Sequence, residues 1–399
     1  MRVLMAHNYY RFRGGEDEAM EHDVQVLRTQ GHHVDLYTRH SSEISNWSLL
    51  RKLALPLRVS WSMESARELA QHISTTRPDI VHVHNFFPIL SPSIFHQCRR
   101  LGIPVVHTLH NYRILCPRGL LSYQGKPCHD CPDKSLWRGL TKRCYRDSLL
   151  RTLPISAMIW LHNRRHTWER DVSGFIAVSE AAKAIFVKSG WSGERIRVRP
   201  NFLNHDPGVG TGVRQGAIFV GRLDTEKGLH HLVEAWRTLP DVPLTIIGTG
   251  PLESWLKGVI ATEGLTHIRC TGYLPHAEAV AAIKAARLLV MPSIWYETFG
   301  RNIMEAYATG TPVVAARLGA MEELVTEGET GLLVEPGNSK DLKRAVTAAL
   351  ASESELARWG ANARARFETR FTAETGGALL ATIYTDILAQ YRRGQAGHT

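Results

Sequence analysis

What most constrains this chain is an alternation of short apolar runs with helix-period stretches that stops once and then starts again. Apolar runs lie near 2–6, 33–37, 80–83, 105–109, 174–178 and 196–199, with amphipathic stretches such as 16–29 and 64–74 between most of them. Asn204-His205-Asp206-Pro207-Gly208-Val209-Gly210-Thr211-Gly212 is polar and glycine-rich, and reads as a linker. Beyond it, runs at 217–220, 244–247, 267–271, 288–291, 312–315 and 331–334 alternate with helical stretches at 229–236, 252–262, 277–285 and 301–309. Strands joined through helices enter a sheet in parallel, by right-handed crossovers. The pattern predicts an α/β chain of two doubly wound domains, with ligands at the carboxyl ends of the strands. The expected boundaries are 1–203 for a first domain, 204–213 for the linker and 214–371 for a second domain. An amphipathic C-terminal helix in 372–399 is expected to cross back to the first domain. Residues 111–147 break the rhythm as a cysteine-bearing insertion, followed by an apolar stretch at 149–165.

The 399 residues, 44% hydrophobic and 22% charged, suit two globular cores. No run approaches the ~18–20 apolar residues that span a bilayer. The apolar part of Met1–Asn8 is too short for a signal peptide, so a cytoplasmic protein is expected. The net charge of +10 favours polyanionic partners. No basic motif with interleaved aromatics is present, so nucleic acid is not an expected partner. Residues 47–58 and 143–165 mix basic, aromatic and aliphatic side chains, which suits peripheral attachment to the anionic inner membrane face. Each also reads as a core-facing helix with a solvated basic side. Four of the six cysteines are spaced Cys116-x11-Cys128-x2-Cys131-x12-Cys144. They are either free thiols or the four ligands of a structural zinc with one C-x2-C knuckle.

Two motifs carry the chemistry. Glu297-Thr298-Phe299-Gly300-Arg301-Asn302-Ile303-Met304-Glu305 places two carboxylates around a glycine where a strand has ended and a helix begins. The unpaired amides of such a helix start suit a diphosphate, and Gly300 lets a ligand approach the backbone. Glu305 lies ~7–8 Å along the helix axis, so the two carboxylates are placed to grip a hexose and a ribose. In Gly221-Arg222-Leu223-Asp224-Thr225-Glu226-Lys227-Gly228, Arg222 and Lys227 follow a strand and suit the charge of a leaving diphosphate. Gly248-Thr249-Gly250 and Tyr273-Leu274 follow the next two strands and are expected to line a nucleotide pocket. Gly14 and Gly15 form a turn with open amides after the first strand, and His110 stands at the end of the fourth. Taken together, these residues suit a sugar diphosphate ligand.

With these residues in place, the chain resembles the retaining glycosyltransferases of the GT-B fold in glycosyltransferase family 4. The resemblance rests on Gly14-Gly15-Glu16, His110, Val178-Ser179-Glu180, Arg197-Val198-Arg199-Pro200-Asn201, Gly221-Arg222 with Lys227-Gly228, Gly248-Thr249-Gly250-Pro251, and Pro292-Ser293 with Glu297, Gly300 and Glu305-Ala306. It implies two Rossmann-like domains with a cleft between them. It further implies transfer of a hexose from a nucleotide diphosphate sugar to a hydroxyl of a glycan or lipid-linked acceptor, without a catalytic metal. By the resemblance, Glu297 contacts the hexose, Glu305 the ribose, Arg222 and Lys227 the diphosphate, and His110 the sugar near the reacting carbon. Gly14, Gly15, Gly248, Gly250, Tyr273, Leu274, Phe299, Gly300 and Arg301 complete the expected donor site. The aspartate common after the strand-end histidine is Asn111 here. A nucleotide-sugar epimerase, a non-catalytic nucleotide-sugar-binding subunit and a zinc-dependent nucleic-acid binder are the competing readings.

Overall fold

The computed structural model describes residues 1–11 and 13–396. The chain divides into two compact units. One comprises residues 1–121, 128–204 and the segment from 373; the other comprises 122–127 and 205–372.

The strands of the first unit are β1 (Arg2–Tyr9), β2 (His33–His40), β3 (Ile80–Asn85) and β4 (Val105–Leu109). After the hairpin β5 (Ser122–Tyr123) and β6 (Lys126–Pro127), which clusters with the second unit, come β7 (Gly174–Ala177) and β8 (Ile196–Val198). The sheet order is β2-β1-β3-β4-β7-β8, parallel throughout. Its inner strands β1, β3, β4 and β7 are buried along almost their whole length, as expected where helices cover both faces. The chain steps outward from β1 to β2 and then returns to the other side of β1 as β3. The carboxyl ends of β1 and β3 therefore form a switch point, the place where such sheets open a crevice.

Residues alternate faces along a strand. On β3, Ile80, His82 and His84 share one face, and on β4 Val106 shares it with Thr108. Ile80 and Val106 join a core built with Val3, Met5, Met20 and Leu27. Into this core the final helix, Ala373–Ala396, inserts Leu380, Ile383, Tyr384 and Ile387 at helical spacing. The three residues beyond 396 in the expected helix lie outside the described residues. Tyr384 Oη is 2.6 Å from His82 Nδ1, and His82 Nε2 is 2.7 Å from Thr108 Oγ1, so both imidazole nitrogens are satisfied.

A Cβ on Gly376 would stand 2.2 Å from Phe202 Cδ1, so the absent side chain is what lets the helix seat. Gly376→Ala should therefore lower stability by ~1–2 kcal/mol, as overpacking of ~1–3 kcal/mol exceeds the ~1 kcal/mol of helix propensity gained. A thermal melt unchanged or raised by this substitution would contradict the packing.

In the second unit the strands are β9 (Ala217–Val220), β10 (Leu244–Ile247), β11 (Ile268–Gly272), β12 (Leu288–Met291), β13 (Val313–Ala316) and β14 (Gly331–Val334). Their order is β11-β10-β9-β12-β13-β14, again all parallel, with the switch point at β9 and β12. Phe219, Leu232, Trp236, Ile246, Val290, Val314 and Trp359 are among its buried core. Each sheet with its helices is thus a Rossmann-like domain, as the alternation of the sequence predicts.

Candidate active site

The loops leaving β9 and β12 meet at the switch point of the second sheet. After β9 the chain runs through Gly221 into a short 3-10 turn, Thr225–Lys227, and then Gly228 at φ 74°. A Cβ on Gly228 would fall 2.0 Å from the carbonyl oxygen of Pro292, so glycine is what allows the two loops to touch. The Ile294 amide donates to the Glu226 carbonyl at 2.9 Å. Across this junction Lys227 Nζ donates to Glu297 Oε1 at 2.5 Å. The same oxygen accepts from Ser293 Oγ at 2.9 Å and Trp295 Nε1 at 3.0 Å, and Glu297 is 7% exposed. A buried carboxylate with three donors is well satisfied. A phosphate that draws Lys227 away still leaves Glu297 with two partners.

Glu297 is followed by Gly300, which adopts φ 92° as the N-cap of the helix Arg301–Ala308. That conformation belongs to glycine, and the first amides of the helix it opens have no intrahelical partner. Asn302 Nδ2 donates to the Val220 carbonyl and ties the helix start to the end of β9. One turn on, Glu305 is buried at 4% exposure; its Oε1 lies 3.0 Å from His276 Nε2 and 3.7 Å from Arg301 Nη2.

The other expected donor residues divide. Arg222 is largely exposed, its Nε 3.2 Å from Asp224 Oδ2, and is not drawn to Glu297. Gly248 and Gly250 have a packing reason of their own: a Cβ on either would strike the Gly221 or Leu223 carbonyl oxygen, at 1.9 and 2.3 Å. Tyr273 is exposed and Leu274 half-buried. Phe299 departs from expectation, because its side chain is buried edge-on against Phe371 and serves the core.

In the first unit, Gly14 caps the helix Gly15–Thr29, but its amide, expected to be open, donates to Asp17 Oδ2 at 2.8 Å. A Cβ at Gly14 would meet nothing within 4 Å, so the missing side chain leaves room at this corner. Glu16 lies beside it. Its two carboxylate oxygens accept from Asn85 Nδ2 at 2.9 Å and Asn111 Nδ2 at 3.1 Å. Desolvation, with neighbouring Asp17 adding to it, pushes the Glu16 carboxyl up to about 8. Asn111 thus donates an amide N–H to Glu16 from the position where the aspartate is common. His110 Nε2 lies 2.9 Å from His84 Nδ1, and both line a hollow with Asn85, Phe87, Asn111 and Arg113.

The zinc expectation fails on geometry. No three of the four sulfurs lie within 4.8 Å of one another; among the described residues, only Asp23, His82 and His84 bring ligand atoms that close. Cys128 Sγ instead receives Lys142 Nζ at 3.5 Å. Burial and the neighbouring sulfurs push the Cys131 thiol up to about 12 and the Cys144 thiol up to about 11. In the Asp23 group, Arg199 Nη2 lies 2.6 Å from Asp23 Oδ2 and His82 uses both nitrogens, whereas Asp23 Oδ1 and His84 Nε2 have no hydrogen-bond partner among the described residues.

Sequence reasoning gave no role to Ser293, Trp295 and His276, which hold the two glutamates, or to Asp23, His84 and Asn85. The Val81-His82-Val83-His84-Asn85 alternation of β3 was a signal, since it puts two histidines on one buried face.

Two family profiles match, and between them they take in most of the chain. Residues 22–207 match "Glycosyltransferase Family 4" and residues 214–366 match "Glycosyl transferases group 1". The chain belongs to glycosyltransferase family 4. Over 172 residues it is 35% identical to a glycogen synthase of Mycobacterium tuberculosis. That match takes in 42% of this chain but only 41% of the relative's length. In fold, this family-4 chain is similar to the sucrose-phosphate synthase of Thermosynechococcus elongatus, with TM-score 0.72, 20% identity, and 98% and 100% of the two chains covered. It is also similar to Anabaena HepE in complex with UDP-glucose, with TM-score 0.66, 20% identity, and 96% and 99% covered.

Proposed function

We propose that this family-4 chain is a retaining hexosyltransferase that moves a hexose from a nucleoside diphosphate hexose to a hydroxyl of a lipid-linked or polysaccharide acceptor. The observation that carries the reading is the Lys227–Glu297 pair at the switch point of the second sheet, beside a glycine-capped helix start. There Lys227 and the helix amides meet the diphosphate, Glu297 the hexose and Glu305 the ribose. Arg222, on the same loop, supplies further positive charge. The complex of HepE with UDP-glucose supports a donor of this class. These donors stabilise the charge that grows on the leaving diphosphate, and such electrostatic stabilisation is typically what lowers an enzymatic barrier most. Retention follows from front-face attack, with the leaving phosphate taking the acceptor's proton. His110, Gly14 and Gly15 keep the donor roles that the resemblance gives them. The test is release of nucleoside diphosphate from a panel of UDP-, GDP- and ADP-hexoses. Conversion to another sugar nucleotide without such release would mean an epimerase, and binding without turnover a non-catalytic subunit.

A lipid-linked acceptor is favoured by one surface of the first unit. The short helices Leu49–Leu53 and Leu55–Ser60 adjoin, and the second packs against the helix Leu149–Arg164. Leu49, Leu50, Leu53, Leu57, Leu149, Leu150, Leu153 and Trp160 all stand exposed, from 50% at Leu153 to 81% at Leu150. Apolar side chains gathered in this way fit a membrane better than water. Trp47, expected on this face, is buried instead. Arg51 stacks on it 4.3 Å from the ring, and both Arg51 and Arg58 pair with Glu64. The leucines therefore contribute more of the attachment than the segment's charge suggests, with exposed Lys52 and Arg151 adding attraction to anionic lipid. No helix among the described residues is long and apolar enough to cross a membrane. Vesicles containing anionic lipid should bind the protein, and the triple substitution Leu50→Ser, Leu53→Ser, Leu150→Ser should weaken binding by ~10-fold or more, since each leucine contributes up to ~1.5–3 kcal/mol when fully buried. Equal vesicle binding by the triple variant would remove the membrane reading.

A further inference from the structure

Part of the insertion at 111–147 belongs with the donor loops: the hairpin of β5 and β6 clusters with the second unit. Its ladder sets Ser122 opposite Pro127 and Tyr123 opposite Lys126. Gln124 at φ 50° and Gly125 at φ 70° make the two-residue turn, a geometry in which both central residues take positive φ. Two residues per strand are too few to hold a hairpin in water by themselves. The surface on which it packs must hold it.

That surface is formed by the two loops that carry Lys227 and Glu297. Ser122 is buried, and its Oγ donates to Glu226 Oε1 over 3.4 Å, at the long end for a hydrogen bond. Glu226 is buried as well and directly precedes Lys227. A buried carboxylate needs donors, and Ser122 brings one to it. The turn makes a second contact. A Cβ on Gly125 would lie 3.4 Å from Thr225 Cγ2 and 3.3 Å from Ile294 Cδ1. Thr225 opens the 3-10 turn that ends in Lys227, and Ile294 leads into Glu297. Gly125 therefore packs on both loops, at the place where the Ile294 amide joins them through the Glu226 carbonyl.

We propose that the hairpin 122–127 is a positioning element of the donor site, a clamp in which Ser122 and Gly125 hold the loops of Lys227 and Glu297 in the arrangement that receives the diphosphate and the hexose. The proposal rests on the assignment of Lys227 and Glu297 to the donor. Ser122 and Gly125 are positioning residues that act through those loops. A misplacement of ~1 Å in a catalytic arrangement can cost ~100-fold in rate, so a hairpin displaced from the loops should be felt in turnover.

The test uses the full chain and two readings: hydrogen exchange at 225–228 and 293–297, and turnover of the donor panel. Gly125→Val puts a β-branched side chain at positive φ and against Thr225 and Ile294, which drives the turn off both loops. The Ile294 amide should then exchange ~10-fold faster or more, and kcat should fall ~10–100-fold with KM for the nucleotide sugar changed less than about 3-fold. Ser122→Ala removes a single oxygen. It should speed the same exchange by ~2–10-fold, the worth of one hydrogen bond, and lower kcat by a similar factor. Lys126→Ala, on the exposed strand of the hairpin, should leave both readings within about 2-fold. Unchanged exchange in both Gly125→Val and Ser122→Ala overturns the clamp, whether or not the chain is active. Faster exchange with undiminished kcat, or an equal loss of kcat in Lys126→Ala, overturns the positioning role. Where Gly125→Val does not fold, Ser122→Ala decides alone. A chain that releases no nucleoside diphosphate from any donor sinks the functional assignment instead, and the exchange still reports on the clamp.

Discussion

Lys227→Ala should lower hexosyl transfer and donor hydrolysis by ~10²–10³ while the fold persists. The lysine is the cation held closest to Glu297, and it reaches that position because Gly228 lets its loop contact Pro292. Removing it takes away charge where the leaving diphosphate gains charge, so the loss should appear in kcat more than in KM. Glu297 is not stranded, because Ser293 and Trp295 still donate to it, and melting temperature should change little. Arg222→Ala is the natural comparison. Its exposed guanidinium is pre-paired only with Asp224, so any effect on turnover reports recruitment by the donor. Near-normal turnover in both variants would remove the donor-site assignment.

The second large effect concerns the final helix. A chain ending at residue 372 should fail to fold its first unit while the second unit folds. Leu380, Ile383 and Ile387 are 0–3% exposed in the first core. At ~1.5–3 kcal/mol each, their loss removes ~5–9 kcal/mol. A whole domain is stable by only ~5–15 kcal/mol. His82 also loses Tyr384, and a buried nitrogen without a partner costs a further ~1–3 kcal/mol. Limited proteolysis followed by mass analysis should recover the second unit and digest the first. A protease-resistant fragment covering residues 1–204 would refute this account.

The two sheets were legible because a parallel strand covered on both faces needs a near-continuous apolar run, as at 2–6, 217–220 and 288–291, and the edge strands at 33–37, 196–199 and 267–271, with more mixed runs, followed from the alternation with helices. The tail of β1, His7-Asn8-Tyr9, was missed because its polar residues turn toward partners such as Asp17 and Ser41, which no local pattern names. Glu297 stood out by its spacing to Glu305 and by Gly300. Ser293 and Trp295 did not, because their role depends on a loop folding back over two to four residues. Phe299 reads as a ligand contact in sequence because it adjoins Gly300, but a position beside a site does not fix the direction of a side chain. The cysteines show the same limit: spacing can suggest four ligands, and only geometry brings sulfurs together. Leu49, Leu50, Leu53 and Leu57 follow a helical period that in sequence cannot be told from a core stripe. Their exposure depends on Leu55–Ser60 packing its other side against Leu149–Arg164.

The return of the final helix to the first core also sets a schedule for the nascent chain. Residues 1–204 leave the ribosome before residues 373–396, and lack Leu380, Ile383, Tyr384 and Ile387 until that helix has been made. At ~5–20 residues per second, residues 205–372 occupy the ribosome for on the order of ten to thirty seconds. Through that interval the first half waits with Val3, Met5 and Leu27 uncovered, while the later half has everything it needs except its own borrowed hairpin at 122–127, already made. The unit translated second can therefore finish first, and holdase chaperones on the nascent chain should favour the earlier segment.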